Sequence, residues 1–364
     1  MWIMEDNRKR FAAEDLRALI AALLHYFEVA QKDAHTAAEV LIDADLKGIE
    51  SHGIAHLPWH RGYIPGLREG LINARASIKV LRESPTTAAL DGDGGLGVVI
   101  AKEAMERCLD KAQTSGIGMV TVTNGRHFGA AGYFAEMAAK KGLIGMAMCN
   151  VPPVGVAAGS KTRAYGTNPI AFAAPMGMGK LFSLDMATTA VAGGKLEIAQ
   201  RQGENIPIGW AVDSEGKPSS DPEILKKGGG LLPLGSNLET SAYKGFGLGL
   251  MVDVLSGILS GAGFGLILPR RDLVMGQWFS AWQIEAFIDT REFENQLNDL
   301  AQQIRQIEPL ENINSVIMPG DKEEQSRQDR LIDGIPLDQE TIEQLEDLAQ
   351  ETGISMPIAI NMNL

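Results

Sequence analysis

Near the amino end, apolar positions recur every three or four residues and predict two amphipathic helices. The first covers 14–27, with Leu16, Leu19, Ile20, Leu23 and Leu24 on one face; the second runs from about 34 to 47, with Ala38, Leu41, Ile42 and Leu46 inward. Gly48 closes the second. The pattern then changes. Stretches 77–82 and 86–90 read as strands, and a helix follows to about 113. Ile117 to Thr123 is β-branched and apolar, a buried strand. Phe128 to Lys141 has helical spacing, with Phe128, Ala131, Phe134, Ala135 and Ala138 on one face, and Gly142 stops it before a strand over 143–149. Later elements are a strand over 181–189, a helix from Gly193, a hairpin over 208–222, a strand within 278–289, a helix over 292–306 and a strand over 313–318. Beyond Glu323 the chain is polar and helical, with Ile342, Leu345, Leu348 and Ala349 as its apolar stripe.

A strand, helix and strand as short as those over 117–149 imply a crossover between parallel strands. The turn Asn124-Gly125-Arg126-His127 then lies where a strand ends and a helix begins, the place where ligands bind in such sheets. A helix amino end favours an anion. A histidine there, with an ordinary pKa near 6.5, can be a general base. It can equally be a residue that only caps its helix.

Two motifs invite stronger readings. His52, His56 and His60 stand at intervals of four, which on one continuous helix would stack three imidazoles and suit zinc. Gly53 and Pro58 argue against such a helix, and no acidic ligand completes the face; a loop leading into a helix near Pro58 fits better. Gly92, Gly94 and Gly97 satisfy GxGxxG between a strand and a helix. Asp91 and Asp93 would oppose a pyrophosphate, the next strand lacks a ribose-binding acid at 121–124, and a calcium loop would need Glu where Lys102 stands. The segment reads as a tight structural turn.

Charge and composition narrow the partners. With 33 Lys and Arg against 46 Asp and Glu the net charge is −13, which disfavours nucleic acid and anionic membranes but not a small anion held by local cations. The stretch MWIMEDNRKRF lacks the apolar core of a signal peptide. The apolar stretch 245–269 holds Asp253 and seven glycines, so it reads as a buried, glycine-packed element and not a membrane span. Cys108 and Cys149 have no CxxC spacing, so no disulfide framework or cysteine metal site is expected, and the cytoplasm is the default location. Lys244, where glycine-rich backbone meets a helix start, is either a phosphate ligand or a solvated lysine.

Several segments together resemble the type-2 malate/L-lactate dehydrogenase family, which also includes ureidoglycolate and sulfolactate dehydrogenases. They are LKGIESHGI (46–54), ALDGDGGLG (89–97), RHFGAAGYF (126–134), YGTNPIAFAAP (165–175) and LDMATT (184–189). Further on come IGWAVDSEGKPSSDP (208–222), LLPLG (231–235), YKGFGLGLMVD (243–253) and PGD (319–321), so nearly the whole chain is covered in order. The resemblance implies an α/β fold with the family's own non-Rossmann, mixed-sheet NAD(P)-binding domain over 77–294. It also implies a helical domain built from both chain ends, 1–76 and 295–364, and a homodimer. It implies an NAD- or NADP-dependent 2-hydroxy-acid dehydrogenase, with His127 as proton acceptor and Ser51 and His52 on the substrate side. Asp185, Met186, Ala187, Thr188, Lys244, Gly245, Gly320 and Asp321 fall at cofactor positions, with Thr167 and Asn168 in the turn beside them.

The chain departs from the family's pattern in three places. An arginine usual a few residues after SHG is replaced in the neighbourhood of Ala55 and His56, many relatives read NSNH at 124–127, and a serine common near the cofactor falls at Val151. An arginine should grip the substrate carboxylate, because a bidentate clamp fixes hydride geometry. Arg126 and Arg61 are the candidates, with His56 beside the substrate. The departures leave malate, lactate, ureidoglycolate and sulfolactate all open as substrates. A zinc hydrolase on the three histidines, or a homologue that binds without turnover, are the rival readings.

Overall fold

The computed structural model describes residues 8–268 and 274–360. Residues 1–7 of the stretch read against a signal peptide, and Pro269 at the end of the apolar stretch, lie outside the described residues. The chain divides into two compact units, Met1–Ala76 with Glu308–Leu364, and Ser77–Ile307.

The first unit opens with helices α1 (Ala13–Tyr26) and α2 (Gln31–Leu46). Their apolar stripes form its core: Leu16, Ile20, Leu23, Leu24, Leu41 and Ile42 are wholly buried. After Gly48, whose φ of 77° suits glycine, the chain makes two short 3₁₀ turns, Glu50–His52 and Ile54–His56. Helix α3 (Tyr63–Arg68) then starts five residues later than Pro58, after further turns through 57–62.

The second unit is organised on a seven-stranded sheet. Its strands in chain order are β1 (Lys79–Glu83), β2 (Thr87–Asp91), β3 (Ile117–Gly125), β4 (Leu143–Cys149), β5 (Ile170–Pro175), β6 (Leu181–Met186) and β7 (Met275–Gln283). They lie in the order β1-β2-β3-β7-β4-β5-β6. Strand β7 is antiparallel to both β3 and β4, so those two are parallel to each other, as a crossover requires, but with a distant strand inserted between them. The sheet is mixed, since β2 and β3 pair in parallel while the other ladders are antiparallel. Helices α4 (Gly97–Ser115) and α5 (Ala131–Ala139) connect β2 to β3 and β3 to β4. Helix α5 begins three residues after Phe128 because Gly129, at φ 77°, turns the backbone out of helical geometry just before it. The apolar face predicted for it, Phe128 through Ala138, is buried.

Beyond β6, helix α6 (Gly193–Gln202) covers a small sheet of two- and three-residue strands that includes the hairpin Ala211–Val212 with Pro218–Ser219. Leu196, Ala199, Ile206, Ala211, Ile224 and Leu231 form its core. Helix α7 (Ala242–Val252) runs into a π-helical turn over Asp253–Ile258. It packs through glycine: a Cβ on Gly249 would fall 2.4 Å from the Tyr165 ring, and one on Gly257 2.0 Å from the Gly263 carbonyl. Among the described residues no helix is long and apolar enough to cross a membrane.

Helix α8 (Thr290–Arg305) stays in the second unit, so the division falls at 307/308 and not 294/295; Glu285, just beyond β7, accepts hydrogen bonds from Thr290 N and Oγ1. The chain then returns to the first unit. Residues 313–318 are irregular and not a strand: Ile313 and Ile317 are exposed, and no strand among the described residues pairs with the segment. Helices α9 (Asp321–Asp333) and α10 (Gln339–Thr352) complete the unit, and Ile342, Leu345, Leu348 and Ala349 are buried as their spacing predicts.

Candidate active site

The His127 turn leaves β3 through Asn124, which holds a positive φ of 52°, and is fixed from two sides. On one side lies the amino end of α4. A Cβ on Gly97 would fall 2.1 Å from the Arg126 carbonyl oxygen and 2.2 Å from that of His127, so only glycine permits this approach. On the other side Gln277, wholly buried on β7, donates from Nε2 to the Arg126 carbonyl at 3.1 Å. The GxGxxG segment is closed on the chain's own backbone: Gly92 N donates to Thr123 O at 2.9 Å and Gly94 N to Asn124 O at 3.0 Å. Asp91 Oδ1 accepts from Asp93 N at 2.8 Å and Asn124 Nδ2 at 3.2 Å. Those amides brace the His127 turn and form no phosphate cradle.

His127 is half-buried, and its Nδ1 accepts from Gly129 N at 3.4 Å. Arg126 folds back, donating from Nη1 to Asn124 Oδ1 at 3.1 Å and to Gly125 O at 3.0 Å.

A continuous run of contacts leads from this turn to the other residues singled out in the second unit. Gly132 N, in the first turn of α5, donates to Asp185 Oδ2 at 2.7 Å, and Asp185 is otherwise exposed at the end of β6. Met186 pairs with Ile170, and Ala187 is half-buried beyond it. Thr188 Oγ1 donates to the carbonyls of Thr167 and Asn168, each at 3.1 Å, and Asn168 Nδ2 donates to Gly249 O at 2.8 Å. Thr188 and Asn168 are wholly buried, so they fasten α7 to the sheet. Gly245 lies against Leu234, where a Cβ would sit 2.3 Å from the carbonyl oxygen, and Lys244 is exposed in the first turn of α7. Asn150, Asp253 and Asn168 make a buried polar knot below; burial, the largest influence, raises the Asp253 pKa, opposed by hydrogen bonds from Asn150, Gly265 and Asn168.

In the first unit, Ser51 Oγ and His52 Nδ1 are 2.8 Å apart. Burial pushes the His52 pKa down to about 4, so the ring is neutral at physiological pH. His56 is held down to about 3, chiefly by burial and then by His52 and His60, and its ring packs between Trp59 and Tyr63 at centroid distances of 5.1 and 5.2 Å. His60 is exposed and packs on Trp59, and Arg61 is exposed. The three histidines thus occupy separate turns, which removes the stacked geometry a zinc site would need, and no metal-binding cluster occurs among the described residues. Gly320, at φ 94°, precedes Asp321, whose Oδ2 accepts from Met318 N at 2.8 Å at the start of α9.

Sequence reasoning missed Gln277, Asp45 and Arg330. Asp45 left a usable signal. It falls seven residues after Ala38 on the inward stripe of α2, where a carboxylate is out of place unless it has a partner. Gln277 and Arg330 left none, because each reaches a turn far away in sequence.

Residues 11–346 match the malate/L-lactate dehydrogenase family. The chain is 39% identical to a malate dehydrogenase of Pyrococcus abyssi over 355 residues, 96% of this chain and 97% of that one. It is also 39% identical to an L-sulfolactate dehydrogenase of Methanocaldococcus jannaschii over 348 residues, 94% and 97% of the two chains. The crystal structure of a malate dehydrogenase from Entamoeba histolytica superimposes with a TM-score of 0.93 at 30% identity, covering 97% of this chain and all of that one.

Proposed function

Because the chain belongs to the malate/L-lactate dehydrogenase family, we propose that it moves a hydride between NAD or NADP and C2 of a small 2-hydroxy acid, with His127 exchanging the hydroxyl proton. The observation that carries this reading is the His127 turn. It is a half-buried imidazole just past a strand end, on a turn braced by Gly97 and Gln277. Positioning of that kind is what proton transfer needs.

The nicotinamide supplies the hydride chemistry when bound. The groups that fit such a cofactor lie at the sheet's end: Asp185 and Met186 on β6, and Lys244, whose ammonium at the amino end of α7 suits a phosphate. Thr167, Asn168 and Thr188 act by holding that edge in place. Gly320 and Asp321 present a further turn in the first unit. Ser51 and His52 face the substrate as a neutral hydrogen-bonding pair, so charge for the carboxylate must come from arginine; Arg61 is the open candidate, since Arg126 is folded onto Asn124. His56, neutral and packed among aromatic rings, shapes that side without adding charge.

Malate and sulfolactate lead the substrate candidates on the named relatives, followed by lactate and ureidoglycolate. The working assembly is a homodimer. Two unpaired, buried cysteines accord with a reducing cytoplasm. The deciding experiment follows absorbance of the reduced nicotinamide with NADH and NADPH against oxaloacetate, pyruvate and sulfopyruvate, and with NAD and NADP against the hydroxy acids. Turnover on one of them names substrate and cofactor together. No turnover and no cofactor binding would sink the reading.

A further inference from the structure

The Ser51–His52 pair sits in a 3₁₀ turn whose own bonds, His52 N to Ile49 O at 2.9 Å and Gly53 N to Glu50 O at 3.2 Å, are local, and side chains from outside tie that turn to the rest of the unit. A buried anchor and a half-buried one flank it. On the carboxyl side Asp45, 1% exposed near the end of α2, accepts from Ile54 N through Oδ2 at 2.7 Å. Gly53 lies directly against that carboxyl: a Cβ there would fall 1.8 Å from Asp45 Oδ1. On the amino side Glu50 is gripped by two arginines, Arg8 at 2.8 Å and Arg330 of α9 at 2.6 Å. Arg330 also donates to the Asp45 carbonyl oxygen at 2.6 Å, which joins the two anchors. The pair is thus strung between a side-chain acceptor and a salt-bridged carboxylate, both tied to α9.

We infer that Asp45 is a positioning residue for the dehydrogenase reaction, holding the Ser51–His52 pair in register through its hydrogen bond from Ile54 N, with Arg330 bracing the opposite end of the same turn. Burial alone would not require a carboxyl here; the shape of the site does. An oxygen must reach Ile54 N past a glycine that leaves room for nothing else. Burial, then the nearby Glu50, raises the Asp45 pKa to about 8, while Ile54 N–H and Arg330 oppose the rise. A neutral group with an acceptor oxygen therefore meets the need at physiological pH.

This inference rests on the reading of Ser51 and His52 as substrate-facing, so its test carries one readout independent of turnover. Asp45→Ala removes the acceptor, whereas Asp45→Asn keeps an oxygen for Ile54 N. The expected result is a fall in kcat of about tenfold or more in D45A, with nicotinamide affinity by fluorescence unchanged, and recovery to within about threefold of wild type in D45N. Side-chain ¹H–¹⁵N spectra of His52 should show its ring resonance displaced or broadened in D45A and restored in D45N. If D45A does not fold, Arg330→Met, on a largely exposed helix, reads the same turn from its other anchor and should displace the same resonance. A folded D45A with wild-type kcat and an unmoved His52 resonance would overturn the inference, as would a D45N as impaired as D45A. Wild-type protein that turns over no hydroxy acid, yet shows the His52 displacement in D45A, would count against the proposed reaction and leave the hold on the turn standing.

Discussion

At the scale of single residues, the two imidazoles read as substrate-facing differ in how they are kept. His127 accepts a backbone amide on Nδ1, and its replacement by alanine should lower turnover by about two to four orders of magnitude with little change in nicotinamide affinity. Initial rates and a binding titration check this, and near-wild-type turnover would remove His127 from the proton-transfer role. Asp45 makes a second prediction, about stability. Its folded pKa of about 8 stands above the ordinary value of 3.8, so between those values the folded chain holds a proton that the unfolded chain releases. The stability Asp45 contributes is therefore fully present below its unfolded pKa and is lost as pH rises through the folded one. Asp45→Asn cannot ionise, so urea unfolding at about pH 5 and about pH 8 should show wild type losing more stability than the variant. Parallel losses would contradict the buried, protonated carboxyl.

At the scale of elements, glycine sets how closely helices approach the turns that matter. Gly97→Ala would drive a methyl into the carbonyls of Arg126 and His127, both backbone atoms without room to move. The expected cost is about 1–3 kcal/mol of stability by urea unfolding, and a loss of kcat beyond what the stability change explains, because the His127 turn must shift. A folded G97A with unchanged kcat would show that the turn tolerates displacement. The same interplay explains what the sequence made legible. Helix α1 and strand β4 follow their apolar periodicity to within a residue, and α2 does so at its carboxyl end but starts three residues earlier, at Gln31, since its buried face extends back to Ala34. The position of His127 at a strand end was legible from the apolar pattern as well. The insertion of β7 between β3 and β4 was not, because pairing between segments separated by a whole small sheet leaves no local trace. Nor was the irregularity of 313–318 foreseeable: its run of Val316, Ile317 and Met318 after Ile313 mimics a strand, yet Ile313 and Ile317 remain in solvent. Of the residues expected at the site, His127 and Asp185 stand at strand ends, a placement their neighbourhoods in the sequence made legible. Gln277 and Arg330 act through folds of the chain that only the structure shows.

At the scale of the whole molecule, the outer face of α7 and the turn after it calls for a partner. Tyr243, Leu250, Val254 and Ile258 are 57%, 41%, 51% and 55% exposed, and with Gly247 they repeat at intervals of four, three, four and four, a single stripe on one side of a helix. The opposite side of the same helix is pinned to Tyr165 and Leu234 through Gly249 and Gly245, so the stripe cannot turn inward. Contiguous apolar surface of this kind marks association in soluble proteins, and the homodimer proposed above would set stripe against stripe by two-fold symmetry. Each copy carries a net charge of −13, so the copies repel at long range and association must come from the stripe itself. Salt screens that repulsion without weakening apolar contact, which makes the sign of the salt effect diagnostic. Sedimentation of wild-type protein should give a dimer that tightens as ionic strength rises. Leu250→Glu with Val254→Glu should shift it to monomer while leaving the fold intact by circular dichroism, because both side chains point outward. A double variant that stays dimeric, or a wild-type dimer that salt dissociates, would move the interface away from α7 to a charged surface elsewhere.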